Sequence, residues 1–229
     1  MNPSPRPPDM AADFTQRKEA WARKMQERGA HRLAERSVDR LPPGQHLAAG
    51  FPVLDLGIHP KVKLEEWKLE ITGEVEVPLT LSRGKLSALP FTQRTSDFHC
   101  VTTWSKYDCA WSGVLLADLL DRLRPHEGAQ YVFYTSYDGY TTNTLVEDWT
   151  HADALLATHF EGKPITLEHG APARIVIPHL YAWKSAKFVR KIEFLSAEQL
   201  GYWEKRGYSN TADPWLNDRF AETARSYLP

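Results

Sequence analysis

The chain contains two cysteines, and one of them, Cys100, lies in a segment rich in hydrogen-bonding side chains, His99-Cys100-Val101-Thr102-Thr103-Trp104-Ser105. An inert core thiol is the alternative, but such a thiol normally has apolar neighbours. Two cysteines cannot build a disulfide scaffold or a metal cage of several cysteines. Any sulfur chemistry therefore rests on a single thiol, and a thiolate at Cys100 suits a soft or high-valent metal.

A second group of chemically capable residues follows later in the chain. Arg174, Lys184 and Lys187 bring three cations together in sequence, with Ser185 between them. Guanidinium and ammonium groups make charge-assisted hydrogen bonds with phosphate and other anions. The pattern therefore indicates an anion-binding site, although an ordinary pair of solvated charged strands would show the same composition.

The elements that must position these residues are mostly short strands. Alternating apolar residues and turn signals predict strands at 67–73, 79–81, 131–135, 174–178 and 189–195. Helices are predicted at 82–86, at 115–123 and at 148–157. Since no regular alternation of strand and helix appears, we expect a strand-dominated α+β domain with a mixed sheet.

Charge and hydropathy exclude several classes of protein. The formal net charge of −1 gives no basic field for nucleic acid, and no apolar stretch is long enough for a membrane span. The N-terminus has no apolar signal region, so a cytoplasmic location is expected. Residues 1–40 are predicted to form a Pro-rich arm and an amphipathic helix that docks on the main domain, and residues 41–229 to form one domain.

Several common motifs are missing from the sequence. It has no Gly-x-Gly-x-x-Gly, no Walker loop and no His-Glu-x-x-His, which removes the usual signals of a Rossmann oxidoreductase and a zinc protease. It also has no Cys-x-x-Cys-His and no iron–sulfur cysteine set. A redox protein of this sequence would therefore need a separate electron-transfer partner.

Five blocks in order resemble the sulfite-oxidase-like molybdopterin oxidoreductases. They are Pro43-Gly44-Gln45 with Phe51-Pro52-Val53-Leu54; His99 to Ser105 with Trp111-Ser112-Gly113-Val114; Asp138-Gly139-Tyr140-Thr141-Thr142-Asn143; His169-Gly170-Ala171-Pro172-Ala173-Arg174 with Lys184-Ser185-Ala186-Lys187; and Gly201-Tyr202-Trp203-Glu204 through Ala212-Asp213-Pro214-Trp215. The resemblance covers about 41–220. Each block alone is weak, but five in the family's order are specific.

The resemblance implies a molybdenum ion held by a pterin dithiolene, with Cys100 as the protein's sulfur ligand and catalytic residue. It also implies cofactor contacts in three groups. One is the pterin and phosphate set His169, Arg174, Ser185 and Lys187; another is the first cofactor loop with Gln45, Phe51 and Val53; the last is Thr135. The protein would bind and orient the cofactor, which carries the electron chemistry.

The implied activity is oxygen-atom transfer to or from a small substrate such as a sulfoxide, sulfite or a related oxyanion. Sulfite oxidases place an arginine a few positions after the metal cysteine, but here Thr103-Trp104-Ser105-Lys106-Tyr107 has none. The missing arginine weighs against sulfite. The chain also ends before the family's dimerisation domain, so a monomer is expected.

Two other interpretations stay open at this point. One is a relative that binds or stores the pterin cofactor without turnover. The other is a thiol enzyme, with Cys100 as the nucleophile and His99 or His169 as its base.

Overall fold

The computed structural model describes residues 40–221, together with Gln16, Glu19, Ala20, Ala22, Arg23 and Lys24. The strands are β1 (His46–Leu47), β2 (Lys68–Gly73), β3 (Leu79–Ser82), β4 (Thr92–His99), β5 (Trp104–Leu115), β6 (Tyr131–Ser136), β7 (Thr141–Leu145), β8 (Leu155–Phe160), β9 (Lys163–Pro164), β10 (Arg174–Val176) and β11 (Val189–Leu195). Within residues 40–221, two α-helices, α1 (Arg83–Ser87) and α2 (Leu116–Leu123), accompany them. Short 3-10 helices cover Glu147–Thr150, Leu167–His169, Ala182–Lys184 and Glu204–Arg206.

The first sheet is built around the long strand β5. β4 pairs antiparallel with it, β1 pairs parallel with its beginning, and β8 pairs antiparallel with its end. β8 in turn pairs with β10 and β9. Gly113 lies where β5 meets β8, and a Cβ there would lie only 2.1 Å from the carbonyl oxygen of Leu156. Any larger residue at 113 would therefore push these two strands apart.

The second sheet has the order β3-β2-β11-β6-β7. β2 and β11 are parallel, whereas the other neighbours are antiparallel, so the sheet is mixed as predicted. The inward-facing side chains of β2 and β11, which include Leu69, Ile71, Ile192 and Phe194, are fully buried. This period-two burial is what the alternating sequence of both strands predicts.

Most of the predicted elements are found, and the strand-dominated α+β class is confirmed. Ser82 caps α1 as expected, since its side chain accepts a hydrogen bond from the Lys85 backbone N–H. The apolar stripe Leu116, Leu119 and Leu123 is buried along α2. The domain limits, 1–40 and 41–229, stay a prediction.

The helix predicted at 148–157 is wrong. The structure has a 3-10 helix over Glu147–Thr150 and then β8, whose Leu155 and Leu156 are completely buried between β5 and β10. The run of leucine and alanine favours a helix locally. β8 pairs with a neighbouring strand on each side, and this pairing overrides the local preference for a helix. The sequence of the segment alone does not show the pairing.

The N-terminal helix prediction falls largely on residues outside the described set. The described residues among 16–24 are helical, and Ala22 is fully buried. Arg23 lies 4.6 Å from the centre of the Phe220 ring, and Glu19 lies 3.6 Å from Arg206. These contacts agree with the docking expected for this segment. Within the part of the chain that is described, no helix has the length and apolar character needed to cross a membrane.

Candidate functional site

Cys100 lies at the start of the tight turn that joins β4 to β5. Its backbone N–H donates to the carbonyl of Trp104 at 2.9 Å, and the N–H of Thr103 donates to the carbonyl of Cys100 at 3.0 Å. Thr103 has a φ of 73°, in the left-handed region. A β-branched residue there costs about 1–3 kcal/mol and persists only where its surroundings enforce it.

Three elements enforce that turn from outside. The side-chain amide of Gln45 donates to the carbonyl of Cys100 at 3.0 Å, and the N–H of His46 donates to the carbonyl of Thr103 at 2.8 Å. The buried guanidinium of Arg219 donates to the carbonyl of Val101. The turn is thus held by residues at the start of β1 and in the C-terminal segment, which fixes the direction of the Cys100 side chain.

Cys100 lines a pocket with a volume of about 120 Å³ that opens to solvent. The thiol is 5% exposed, and its sulfur lies 3.1 Å from the hydroxyl oxygen of Thr102. Most of the lining is aromatic or aliphatic, with a few polar groups; the aromatic members are Phe51, Phe98, Trp104, Tyr140, Trp183, Trp203 and Tyr208. A mainly apolar cavity with few polar groups is typical of cofactor and substrate sites.

Arg174, the first residue of β10, brings a cation into the pocket wall. Its guanidinium donates to the carbonyls of His169 at 3.1 Å and Ser185 at 3.0 Å. It also lies over the faces of Phe98 and Trp111, 5.4 and 5.2 Å from their centres. Burial lowers the pKa of Arg174 to about 10, so it still carries a charge at neutral pH. Among the described residues it has no carboxylate partner.

His169 and Lys187 lie next to Arg174 in the pocket. The His169 ring stacks on Phe51 with centres 4.4 Å apart. Lys187 donates to the carbonyl of Glu168 at 2.6 Å and lies 3.5 Å from the carboxylate of Asp55. Burial, followed by the charges of Lys187 and Arg174, lowers the pKa of His169 to about 4. His169 is therefore a neutral hydrogen-bonding group beside two cations.

Lys184, the third cation of the sequence cluster, has a different role. Its ammonium is completely buried and donates to Glu204 at 2.8 Å and to Asn143 at 2.7 Å. The same Glu204 oxygen accepts from Thr142 and Trp183. Lys184 therefore belongs to a buried ion pair that holds the C-terminal segment to β7, and not to an anion site.

The structure brings six of the predicted site residues together: Phe51, Cys100, His169, Arg174, Ser185 and Lys187 all line the pocket. Gln45 lies behind it, where it supports the Cys100 turn. Val53 is 44% exposed, and neither it nor Thr135 in β6 is part of the lining. Direct cofactor contact by Val53 or Thr135 finds no support in this geometry.

Sequence reasoning missed several pocket residues. Asp55 and Asp138 contribute carboxylates to the lining, and Arg219 supports the Cys100 turn from a distant part of the chain. The Asp138-Gly139 turn signal marked Asp138 as a turn residue, and its side chain does accept the Tyr140 N–H. No local signal marks Asp55 or Arg219, because only the fold brings them to the site.

The residues present fit a molybdenum–pterin group. Cys100 offers a soft sulfur ligand inside the cavity, and a buried Arg174 without a carboxylate partner among the described residues offers charge for an anionic tail. His169, Ser185 and Lys187 would complete the polar contacts to that tail. Apart from Asp55, Thr102 and Asp138, the remaining lining is apolar, as is typical of a site for a large organic cofactor.

A strand-rich domain of mixed sheets with a thiol in an aromatic and cationic pocket is the arrangement expected of a protein that binds a redox cofactor. The family model described as oxidoreductase molybdopterin binding domain matches residues 56–203. The chain belongs to this family of molybdenum-cofactor oxidoreductases. Recognition of the family, the enzyme class and the cofactor from the sequence is thus confirmed.

Relatives of known name agree with the family. The chain is 41% identical over 182 residues to the uncharacterized oxidoreductase YuiH of Bacillus subtilis, covering 79% of this chain and 92% of that protein. It is 32% identical over 157 residues to the protein-methionine-sulfoxide reductase catalytic subunit MsrP of Campylobacter jejuni, covering 61% of this chain and 52% of MsrP. The chain thus spans about half the length of that MsrP.

Among solved structures, the sulfane dehydrogenase SoxCD of Paracoccus pantotrophus has a similar fold. The TM-score is 0.57 at 21% identity, over 65% of this chain and 42% of that chain. At this identity the likeness concerns the fold alone, and it agrees with the strand-dominated α+β class expected from the sequence.

The geometry disfavours the thiol-enzyme interpretation. Burial lowers the pKa of His99 to about 4, and its Nδ1 lies 2.8 Å from the Ser105 hydroxyl. His169 has an equally low pKa and stacks on Phe51. A general base works best when its pKa is near the working pH, so neither histidine suits the activation of a thiol at neutral pH.

Proposed function

We propose that this protein reduces a small or peptide-borne sulfoxide by oxygen-atom transfer, with Cys100 as the protein ligand of the molybdenum cofactor. The observation that carries the proposal is the position of the Cys100 thiol in the wall of an aromatic pocket open to solvent. The buried guanidinium of Arg174 lies in the same wall. In this proposal Cys100 stays a ligand throughout and does not attack the substrate.

The character of the pocket favours a sulfoxide over sulfite. Its lining is mainly apolar, and its charged groups include the carboxylate of Asp55, which would repel a sulfite dianion. Arg174 and Lys187 are assigned to the anionic tail of the cofactor in this proposal, so they would not be available to a sulfite dianion. A neutral sulfoxide with apolar substituents suits such a surface better. The names of the MsrP relatives point to the same substrate class.

The reaction converts a sulfoxide, two electrons and two protons into a sulfide and water. When bound, the cofactor supplies the two-electron oxygen-atom transfer, and a separate electron-transfer protein would restore its electrons. The aromatic side chains of the lining would pack against the apolar substituents of the substrate. Burial raises the pKa of Asp138, so this carboxyl holds a proton to higher pH than a solvated one and is the residue proposed to deliver it.

The substrate class is tested with the molybdenum-loaded protein, reduced chemically and then mixed with methionine sulfoxide under anaerobic conditions. The cofactor absorption is expected to return to that of the oxidised form, with one sulfide formed per two electrons. Sulfite added to the oxidised protein is expected to cause no change. If neither compound changed the oxidation state of the cofactor, the protein would be one that binds the cofactor without turnover. If sulfite reduced the cofactor, the direction of oxygen transfer would be opposite to the one proposed.

Removing the pocket cations is expected to weaken cofactor retention. In Arg174→Met and Lys187→Ala an anionic tail would lose a charge-assisted partner, which is worth about 1.5–3 kcal/mol. That loss corresponds to roughly tenfold to hundredfold weaker binding. Pterin and molybdenum content after gel filtration measures it, with the exposed Lys61→Ala as the matched control. Full occupancy in both pocket variants would remove these residues from the cofactor site.

A cytoplasmic location and a monomeric state stay predictions, and so does the exclusion of nucleic acid as a partner.

A further inference from the structure

A group of metal-binding side chains lies outside the cofactor pocket, at one end of the first sheet. His151 and Asp153 precede β8, and His179 follows β10. Val176 at the end of β10 is paired with Leu155 at the start of β8. Because these strands are antiparallel, the residues that precede β8 and the residues that follow β10 lie at the same end of the sheet. The sheet register itself therefore brings the three side chains together.

The donor atoms of this group lie close to one another. One nitrogen from each of His151 and His179 and one oxygen from Asp153 all lie within 4.8 Å of one another. The two imidazole rings stack with centres 3.5 Å apart and planes 14° apart. Two ligands on a tetrahedral zinc ion lie about 3.4 Å apart, given bonds of about 2.0–2.1 Å. Lone pairs of stacked imidazoles lie in parallel ring planes, so His151 has to rotate out of the stack to bind the same ion as His179. Its side chain is exposed and has room to do so.

One nitrogen of His179 is held by a carboxylate, and the other has no partner among the described residues. Its Nε2 lies 2.8 Å from a carboxylate oxygen of Asp148, whose other oxygen accepts the Leu145 N–H at 2.8 Å. A carboxylate only accepts, so Nε2 carries the proton and Nδ1 presents a lone pair. That Nδ1 is buried and has no hydrogen-bond partner among the described residues. A carboxylate behind a histidine is the usual support of a metal ligand, and a cation would satisfy the orphaned nitrogen.

We propose that His151, Asp153 and His179 form a binding site for a borderline divalent cation such as Zn²⁺, separate from the cofactor pocket. Two imidazoles and one carboxylate are the donor set that such ions prefer, whereas Mg²⁺ and Ca²⁺ prefer oxygen ligands. His151 is exposed, and a water molecule would occupy the fourth coordination position. The site does not depend on the proposed sulfoxide chemistry, since none of its ligands lines that pocket.

A bound cation would tie the loop before β8 to the loop after β10. That second loop continues into the pocket wall, because the N–H of Ile177 donates to the hydroxyl of Ser185 at 2.9 Å. The cation would thus stabilise β10, which carries Arg174, and the loop after it, which contacts Ser185. This is a structural role, and its readout is stability.

The test uses the full chain, treated with a chelator and then titrated with Zn²⁺. One equivalent is expected to bind and to raise the midpoint of thermal unfolding by about 5–10 °C at a hundredfold excess over the dissociation constant. Co²⁺ in place of Zn²⁺ is expected to give the visible absorption of a site with mixed nitrogen and oxygen ligands. Mg²⁺ is expected to have no effect.

Variants locate the site. His151→Ala and Asp153→Asn change residues that are not buried, so they are expected to fold and to weaken Zn²⁺ binding at least tenfold. His179→Gln removes the ligand that Asp148 holds, and it is also expected to weaken Zn²⁺ binding. Two controls are expected to bind like the wild type: the exposed His126→Ala, and Cys100→Ser, which excludes zinc at the pocket thiol. Absence of Zn²⁺ binding to the wild type, or equal binding by His151→Ala and Asp153→Asn, would overturn the proposal.

Discussion

Replacing Cys100 with serine is expected to abolish molybdenum-linked redox activity while the protein stays folded. The exchange is nearly isosteric, and the turn around Cys100 is held by main-chain contacts from Gln45, His46 and Arg219 that serine keeps. Serine offers a hard oxygen in place of a soft thiolate, so the metal loses the ligand that suits it. Turnover of a sulfoxide with a chemical reductant measures the effect, and circular dichroism confirms the fold.

Cys109→Ser is the matched control for that variant. Cys109 in β5 is completely buried, and burial raises the pKa of its thiol to about 12, so it is inert as a nucleophile or ligand. This variant is expected to keep both its metal and its activity, with at most a modest loss of stability. Activity retained in Cys100→Ser, or lost equally in both serine variants, would contradict the assignment.

The second large effect is expected on stability, from Lys184→Met. Lys184 and Glu204 form an ion pair in which the two side chains are 0% and 1% exposed. Removing the ammonium leaves a buried carboxylate facing only neutral donors, Thr142 and Trp183. Breaking one side of such a pair costs about 3–5 kcal/mol. Equilibrium unfolding in urea is expected to show a loss of free energy in this range.

An exposed lysine provides the comparison for this prediction. Lys63 lies 3.6 Å from Glu66, and both side chains are well exposed, so Lys63→Met is expected to change stability by less than about 1 kcal/mol. The double variant Lys184→Met/Glu204→Gln is expected to regain part of the loss, because it removes the buried unpaired charge. If Lys184→Met were as stable as Lys63→Met, the pair would not hold the C-terminal segment as inferred here.

The local parts of the fold were accessible from the sequence. Alternating residues located β2 and β11, and an amphipathic stripe located α2, because these signals lie within one element. The segment 148–157 was misassigned because its strand is determined by pairing with β5 and β10. β4 went unrecognised because its first six residues are polar or only partly buried.

Part of the candidate site could likewise be predicted from local motifs, and part of it could not. Cys100, His169 and Arg174 were found from their motifs, and the structure places them around one pocket. Lys184 was grouped with the anion-binding cations because sequence distance cannot show its buried partner Glu204. Arg219 lies 118 residues from Val101, whose carbonyl it binds, and no sequence window joins the two. Long-range contacts decide which charged residues serve the site and which serve the fold.

The central claim, that Cys100 binds molybdenum, is tested most directly by X-ray absorption spectroscopy at the molybdenum edge. The measurement compares the wild-type protein with Cys100→Ser, each purified from a host that makes the cofactor. The dithiolene supplies two sulfur neighbours in both proteins, so the wild type is expected to show one sulfur neighbour more than the variant. The same number of sulfur neighbours in both, or no molybdenum in the wild-type protein, would contradict the claim.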